Sequence, residues 1–284
     1  MKINTVFVAG AGQMGAGIAQ TAAAAGYQVQ LRDMQTEFVD KGLAVIAKNL
    51  ARSLEKGKIT AADKQEILGR ITGTTSWDGL SQADLVIEAV PESMPVKKDI
   101  FQLLDAQCAE HTILATNTSS LPVTAIAALT KRPDKVIGMH FFNPVPAMKL
   151  VEVICGLATS EATYQTVSQT AENMGKTPVR ITDYPGFAGN RIVIPMINEA
   201  IFALMEGVAS AEDIDNVLKL GFNHPMGPLA LADLIGLDTV LYIMEVLYEG
   251  YKDSKYRPCP LLCKKVQAGH LGRKSGQGFY LYHK

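Results

Sequence analysis

The sequence predicts an α/β fold in which a doubly wound parallel sheet is followed by an all-helical C-terminal domain. Apolar, strand-like runs alternate with amphipathic helical stretches as far as about residue 181. From Phe187 onward the periodicity is helical, and the segment Asp183–Gly186, with its proline and glycine, separates the two patterns. We therefore predict a first domain over residues 1–184 and a second over residues 185–284.

The first strand runs directly into the glycine-rich turn GAGQMG, which opens a helix of small residues. Gly10 permits the tight turn, Gly12 lets the backbone approach a pyrophosphate, and Gly15 allows close contact between helix and strand. The N-terminus of the helix offers N–H groups to an anion. The pattern is typical of a Rossmann-type dinucleotide site, and the alternative is a glycine turn that binds no ligand. The candidate cofactor-binding residues of the turn are Gly10, Gly12, Gln13, Met14 and Gly15.

A carboxylate follows the second strand-like run. Asp33 lies about 20 residues beyond the glycines, where an acidic side chain would meet the ribose 2′-hydroxyl. The same charge would repel a 2′-phosphate, so we expect NAD rather than NADP. The neighbouring Arg32 keeps NADP open as an alternative. This alternative is less favoured, because adjacent side chains on a strand point to opposite faces and Arg32 should point away from Asp33.

Composition and charge bound the class of protein. The chain has 284 residues, of which 48% are hydrophobic and 19% charged, which is enough for two cores. A net charge of -1 gives no global reason to expect nucleic acid or a membrane surface as a partner. No apolar run reaches transmembrane length, and no secretory signal pattern precedes the first strand.

Because neither a signal pattern nor a transmembrane run is present, we expect a cytoplasmic protein. The four cysteines are few and scattered, as in proteins of a reducing compartment. Only Cys259 and Cys263 are close together, and neither has a nearby histidine or a second cysteine pair at metal-ligand spacing. We therefore expect no metal site.

The elements after Asp33 continue the alternation. Further strands are predicted near residues 85–87, 113–115, 136–139, 149–154 and 178–181, with helices near 37–56, 60–71, 95–108 and 161–174. In the second domain, helices are predicted near 190–206, 211–220, 229–235, 239–248 and 261–266. These helices are more apolar than one small domain can bury. They predict a homodimer through the C-terminal domain.

The helix near 37–56 begins a basic arm that spans about residues 37–70. Its leucines and isoleucine recur at helical spacing, while lysines and an arginine lie on the opposite face. Between residues 41 and 58 there are five basic residues and one acid, Glu55, which gives a local charge of +4. The alternative is an ordinary solvated face.

An enzyme that oxidises an alcohol with a nicotinamide needs a base with a pKa near the operating pH, and histidine fits that best. His140 is the one histidine that ends a sheet strand on the ligand side. Glu152, on the next strand, is the carboxylate best placed to hold its ring. The alternative is a structural histidine and a solvated glutamate. Ser119 and Asn190 could bind a substrate oxygen, although such residues usually serve turns and caps.

Several motifs taken together resemble one family. GAGQMG with Asp33, EAVPE at 88–92, NTSS at 117–120, GMHFFNPVPAMKLVEV at 138–153, PGFAGNRI at 185–192, PMGPLALADLIGLD at 225–238 and SGQGFY at 275–280 occur in order over nearly the whole chain. They resemble the 3-hydroxyacyl-CoA dehydrogenases, particularly the short monofunctional bacterial members. The resemblance implies NAD-dependent interconversion of an (S)-3-hydroxyacyl-CoA, such as (S)-3-hydroxybutyryl-CoA, and a 3-oxoacyl-CoA such as acetoacetyl-CoA. No hydratase-like segment is attached, which argues against a multifunctional enzyme.

The resemblance also implies roles for individual residues. His140 would be the general acid/base, Glu152 its partner, and Ser119 and Asn190 the polar groups around the substrate oxygens. The basic arm would meet the CoA nucleotide of an acyl-CoA thioester, with contacts at Arg52 and Lys56. Positions expected near NAD, to which we add Asn117 of the same loop as Ser119, are Asp33, Glu92, Lys97, Asn117, Ser119 and Asn143.

Two other hypotheses remain at this point. A related 3-hydroxy-acid or sugar-acid dehydrogenase could use the scaffold without CoA, but it would not need the +4 helix. A nucleotide-binding sensor or structural protein could keep the fold without catalysis. That hypothesis predicts the loss of at least one of the four proposed catalytic residues, and all four are present.

Overall fold

One sheet organises the first of the two units into which the chain divides, Met1–Asp183 and Tyr184–Lys284. The computed structural model describes residues 1–282. The strands of the sheet in that part of the chain are β1 (Thr5–Ala9), β2 (Gln28–Arg32), β3 (Ile71–Thr74), β4 (Leu85–Glu88), β5 (Ile113–Thr116), β6 (Val136–Phe141), β7 (Leu150–Cys155) and β8 (Thr177–Thr182). Their order is β3-β2-β1-β4-β5-β6-β7-β8, so the chain winds outward in both directions from β1. The predicted doubly wound α/β fold is confirmed.

The strands from β3 to β6 are parallel, but β7 runs antiparallel to β6. The connection between β6 and β7 is only residues 142–149, which is too short for the crossover that a parallel pair requires. Lys176 tethers this connection, because its buried ammonium donates to the carbonyl oxygens of Val145 at 2.5 Å and Met148 at 2.8 Å. Burial lowers the pKa of Lys176.

Helices cover both faces of the sheet. They are α1 (Gln13–Ala24), α2 (Thr36–Glu55), α3 (Ala61–Gly69), α4 (Met94–Gln107), α5 (Val123–Ala127) and α6 (Glu161–Asn173). Successive side chains of a strand point to opposite faces, so Val6 and Val8 of β1 pack into one core with α1, α2 and α6, and Phe7 packs into the other with α4 and α5. This burial on both sides is typical of parallel sheets.

Helix α2 has the two-faced character that its sequence predicts. Val39, Ile46 and Leu50 are buried, and Leu43 is half-buried. All the basic residues of the arm between 41 and 58 are exposed. The helix therefore packs one side against the sheet domain and presents a row of positive charges to solvent.

The second unit is helical in the residues that the structure describes. Its helices are α7 (Gly189–Met205), α8 (Ala211–Asn216), α9 (Pro228–Ile235), α10 (Leu237–Tyr251) and α11 (Pro260–Gln267), and they share one apolar core. The helix predicted over 211–220 is α-helical only as far as Asn216, and residues 217–221 form a wider π-helical turn. Val217 and Leu220 are exposed on this turn, so no core contact holds them in a regular α-helix.

No helix within residues 1–282 is long and apolar enough to span a membrane.

Candidate active site

The glycine turn lies at the carboxyl end of β1, and packing requires two of its glycines. Gly10 has φ +111°, and a Cβ there would lie 2.5 Å from the carbonyl oxygen of Ala89. A Cβ on Gly15 would lie 1.7 Å from the carbonyl oxygen of Gly10. At Gly12, by contrast, a Cβ would meet no atom of the described chain within 4 Å. The first and third glycines therefore hold the turn together, and the second opens its backbone to close approach from outside.

The turn leads into an anion site of the kind that a dinucleotide uses. Helix α1 begins with Gly12 as its N-cap, and no side chain of the described residues caps it. Its first N–H groups and the positive end of its dipole are therefore available to a pyrophosphate. Two predicted cofactor residues meet beside it, because Gln13 Nε2 donates to Asn143 Oδ1 at 3.0 Å. Met14 packs against the core of the sheet domain. These residues fit a bound NAD.

Asp33 is held against the glycine turn. Its Oδ2 accepts the backbone N–H of Ala11 at 2.7 Å, and its Oδ1 accepts that of Met34 at 2.7 Å. Arg32 is engaged elsewhere, with its guanidinium 3.8 Å from the centre of the Trp77 ring and its Nε donating to the carbonyl oxygen of Thr75. The acidic group thus lies at the turn while the basic group is stacked on an aromatic side chain, which supports NAD over NADP.

Glu92 fixes the loop that carries Ser119. Its Oε1 accepts hydrogen bonds from Thr118 Oγ1 at 2.5 Å, from the backbone N–H groups of Ser119 and Ser120 at 3.0 and 3.1 Å, and from Ser120 Oγ at 2.9 Å. Burial raises the pKa of Glu92, but the nearby Lys97 and these hydrogen bonds outweigh burial and lower it overall. The carboxylate therefore stays ionised at neutral pH and keeps Ser119 in place. This contribution is lost only as the pH falls through the lowered pKa.

Lys97 and Glu88 form a buried ion pair behind this loop. The Lys97 ammonium donates to Glu88 Oε1 at 2.7 Å and Oε2 at 2.8 Å, and it lies 3.4 Å from Glu92 Oε2. Glu88 is fully buried and also accepts from Thr116 Oγ1 at 2.7 Å and from the Val90 N–H at 2.8 Å. The sequence predicts Lys97 and Glu92 as site residues but misses Glu88. The available signal is a carboxylate that ends an otherwise apolar strand.

His140 and Glu152 form the proposed proton-transfer pair. The two residues lie directly opposite each other in the antiparallel pairing of β6 with β7. His140 Nδ1 is 2.8 Å from Glu152 Oε2, and the residues are 7% and 2% exposed. The Phe142 ring packs on the imidazole, with ring centres 4.5 Å apart. The carboxylate therefore contacts one nitrogen of the ring in a buried environment.

Asn117 connects three strand ends. Its side-chain Oδ1 accepts the N–H of Phe141 at 2.9 Å, and its own N–H donates to the carbonyl oxygen of Glu88 at 2.8 Å. The loop after β5 is thereby tied to the ends of β4 and β6. Asn117 thus supports the strand that carries His140, while its contact with NAD stays a prediction.

The remaining predicted residues belong to other elements of the chain. Arg52 is exposed in the last turn of α2, and Lys56 follows as the C-cap. Asn190 is the second residue of α7, in the other unit. No group of three or more metal-ligating side chains occurs among residues 1–282.

Comparison with known proteins places this geometry in one family. A sequence model of the 3-hydroxyacyl-CoA dehydrogenase NAD binding domain matches residues 5–184, and one of the C-terminal domain of the same family matches residues 186–282. The chain belongs to the 3-hydroxyacyl-CoA dehydrogenase family.

Several relatives that align with nearly the whole chain are named as 3-hydroxybutyryl-CoA dehydrogenases. A probable 3-hydroxybutyryl-CoA dehydrogenase of Bacillus subtilis is 60% identical over 99% of this chain and 98% of its own. A 3-hydroxybutyryl-CoA dehydrogenase of Clostridioides difficile is 56% identical over 98% of this chain and 99% of its own. The crystal structure of the (S)-3-hydroxybutyryl-CoA dehydrogenase of Ralstonia eutropha has a TM-score of 0.98 and 51% identity, and each chain is fully covered.

Two glycine substitutions separate packing from coenzyme binding in this dehydrogenase. We expect Gly15→Ala to lower the melting temperature and weaken NAD binding, because its methyl group collides with the Gly10 carbonyl. Gly12→Ala should leave the melting temperature nearly unchanged and still weaken NAD binding, because its methyl group points only into the proposed pyrophosphate site. Thermal unfolding and calorimetric titration with NADH measure the two effects. Unimpaired binding by Gly12→Ala would contradict the assignment of the turn.

Proposed function

We propose that this protein interconverts (S)-3-hydroxybutyryl-CoA and acetoacetyl-CoA with NAD as coenzyme. The observation that carries the proposal is the buried pair of His140 and Glu152. His140 lies on β6, the strand next to the one whose loop holds Ser119. The glycine turn and Asp33 lie at the carboxyl end of the same sheet, where ligands of such folds bind. Family membership and the names of the relatives indicate the CoA thioester and the short acyl chain.

The chemistry divides between the coenzyme and the side chains. When bound, NAD supplies the oxidising power by accepting a hydride from the carbinol carbon. Glu152 accepts the N–H of His140 Nδ1, so Nε2 is the atom that takes the hydroxyl proton. The resulting imidazolium is stabilised by the carboxylate across the strand pair. Ser119 and Asn190 are proposed to donate hydrogen bonds to the substrate oxygens.

The basic arm favours the CoA reaction over that of a small hydroxy acid. Its basic residues are all exposed and lie along or just after α2: Lys41, Lys48, Arg52, Lys56 and Lys58. A CoA nucleotide carries several phosphate charges far from the reacting carbon, and such a row of cations would attract it. Free hydroxy acids offer no group that would reach this arm.

Assembly as a homodimer through the second unit is part of the proposal. Val208, Val217, Leu220 and Phe222 are between 56% and 84% exposed. Monomeric proteins seldom expose several large apolar side chains in a short stretch, and such groups mark interfaces. The cytoplasmic location stays a prediction.

Replacing the histidine tests the chemical step. His140→Gln should lower kcat by about 10²–10⁴-fold, because proton transfer is lost, and should leave NADH affinity nearly unchanged. Glu152→Gln should also lower kcat, since the imidazolium loses its counter-charge. Both are measured as NADH oxidation with acetoacetyl-CoA. A folded His140→Gln variant with nearly normal kcat would remove histidine from the mechanism.

The arm is tested with a double substitution and a control on the same helix. Arg52→Ala with Lys56→Ala should raise KM for acetoacetyl-CoA with little change in kcat, and more so at low salt, because these contacts bind ground state and transition state alike. KM for an acetoacetyl thioester of N-acetylcysteamine, which lacks the phosphates, should not change. Lys41→Ala with Lys48→Ala removes the same charge nearer the start of α2 and should have a smaller effect. Equal losses on both substrates would make the arm a solvated face.

The interface is tested by adding charge. Leu220→Glu should lower the molar mass in light scattering from dimer to monomer, because a carboxylate would have to be buried at the contact. Leu157→Glu is the control, since Leu157 is also largely exposed but lies in the first unit. A monomeric unaltered protein, or a dimer that survives Leu220→Glu, would argue against this surface.

A further inference from the structure

Three charged side chains lie in a row behind the Ser119 loop. Glu88 and Lys97 are 0% and 1% exposed, and Glu92 continues the row toward the loop. Lys97 makes its two short contacts with Glu88, at 2.7 and 2.8 Å, and its longer contact of 3.4 Å with Glu92. Glu88 therefore neutralises most of the ammonium charge. The row carries one net negative charge, which lies at its Glu92 end.

The Glu92 end faces the reacting atoms if the proposed function holds. Its Oε1 accepts the N–H of Ser119, whose side chain is proposed to contact the substrate oxygen. Hydride transfer needs the nicotinamide ring in contact with the carbon that bears that oxygen, at about 3–3.5 Å. The ring must then lie within about 10 Å of the row, where Coulomb interactions are still appreciable.

Oxidised and reduced coenzyme differ in charge at this ring, because the nicotinamide is cationic in NAD⁺ and neutral in NADH. A fixed negative charge beside it stabilises the oxidised form and leaves the reduced form unaffected. We propose that Glu88 is a positioning residue that sets the preference of the site for NAD⁺ over NADH: by binding Lys97, it leaves the charge of Glu92 uncancelled. The proposal rests on the proposed function of the site.

A purely structural role explains the arrangement less well. A buried ion pair adds little net stability compared with apolar side chains of similar size. Without Glu88, Lys97 and Glu92 would form a neutral pair and could still hold the loop. The second carboxylate is needed only if the row is to keep a negative charge. Thr116 and the Val90 N–H both donate to Glu88, so its carboxylate is held in place from two sides.

The test compares the ratio of the dissociation constants for NAD⁺ and NADH, measured by calorimetric titration, among charge variants. Glu88→Gln makes the row neutral and should raise the ratio by about 2-fold with water-like screening and by about 15-fold at the intermediate dielectric of a protein site. Lys97→Met adds a net negative charge and should lower the ratio. The double variant restores the net charge of the unaltered row and should return the ratio toward its original value.

Two further variants separate charge from structure. Thr116→Val removes a neutral hydrogen bond to Glu88 and should leave the ratio unchanged even if both constants rise. Glu88→Asp keeps the negative charge and should leave the ratio of the two dissociation constants unchanged, even if the melting temperature falls. If Lys97→Met does not fold, the comparison of Glu88→Asp with Glu88→Gln still tests the proposal.

A merely structural role would raise both dissociation constants alike in every variant and leave the ratio constant, which would overturn the proposal. So would shifts of the same sign for Glu88→Gln and Lys97→Met. If the unaltered protein binds neither NAD⁺ nor NADH, the proposed function fails, and this inference fails with it. If it binds both but the ratio does not respond to charge, only this inference fails.

Discussion

The register between β6 and β7 is the constraint on which the site depends. It places His140 and Glu152 directly opposite each other, which is what allows their contact of 2.8 Å. Because side chains alternate between faces, a slip of one residue would move one partner to the other side of the sheet. The short connection and the Lys176 ammonium that binds two of its carbonyl oxygens both oppose such a slip. The proton-transfer pair is thus a product of strand pairing.

Two electrostatic regimes are built into the same unit. Glu88 and Lys97 are buried, Glu92 is partly buried, and all three make close polar contacts, so each holds its neighbours in a defined geometry. The basic side chains along α2 are exposed to solvent. Salt screens these charges strongly, and their effect is to attract an anionic ligand. Different parts of the chain therefore hold the site residues in position and attract the ligand.

The sequence predicts the features that depend on local pattern. The turn after β1, the two faces of α2 and the strand carrying His140 follow from periodicity and glycine spacing. Strand β3 is missed because its four residues lie at the sheet edge, include a glycine and are exposed or only partly buried, so they form no apolar run. The π-helical turn at 217–221 is missed because its leucine and valine fit helical spacing but face outward.

The other features that the sequence does not predict depend on contacts between residues that are distant in sequence. Glu88 gains its place in the site from Lys97 and Thr116, 9 and 28 residues away, and periodicity alone cannot reveal either contact. The antiparallel direction of β7 follows from the short connection that precedes it. The hydrophobic pattern of a strand carries no information about the length of that connection. The roles assigned to Ser119, Asn190 and the basic arm come from family resemblance and stay predictions.

The contact between Asp33 and the glycine turn has a consequence for protein engineering. Asp33 is the residue expected to bind the ribose, and one of its carboxylate oxygens accepts the N–H of Ala11 at 2.7 Å. A redesign that replaces Asp33 to admit a phosphorylated coenzyme would therefore also remove an acceptor from the backbone of the turn. Residues such as Asn or Ser, which can still accept that N–H without a negative charge, are better starting points than Gly or Ala. Coenzyme choice and loop rigidity would otherwise change together in any such library.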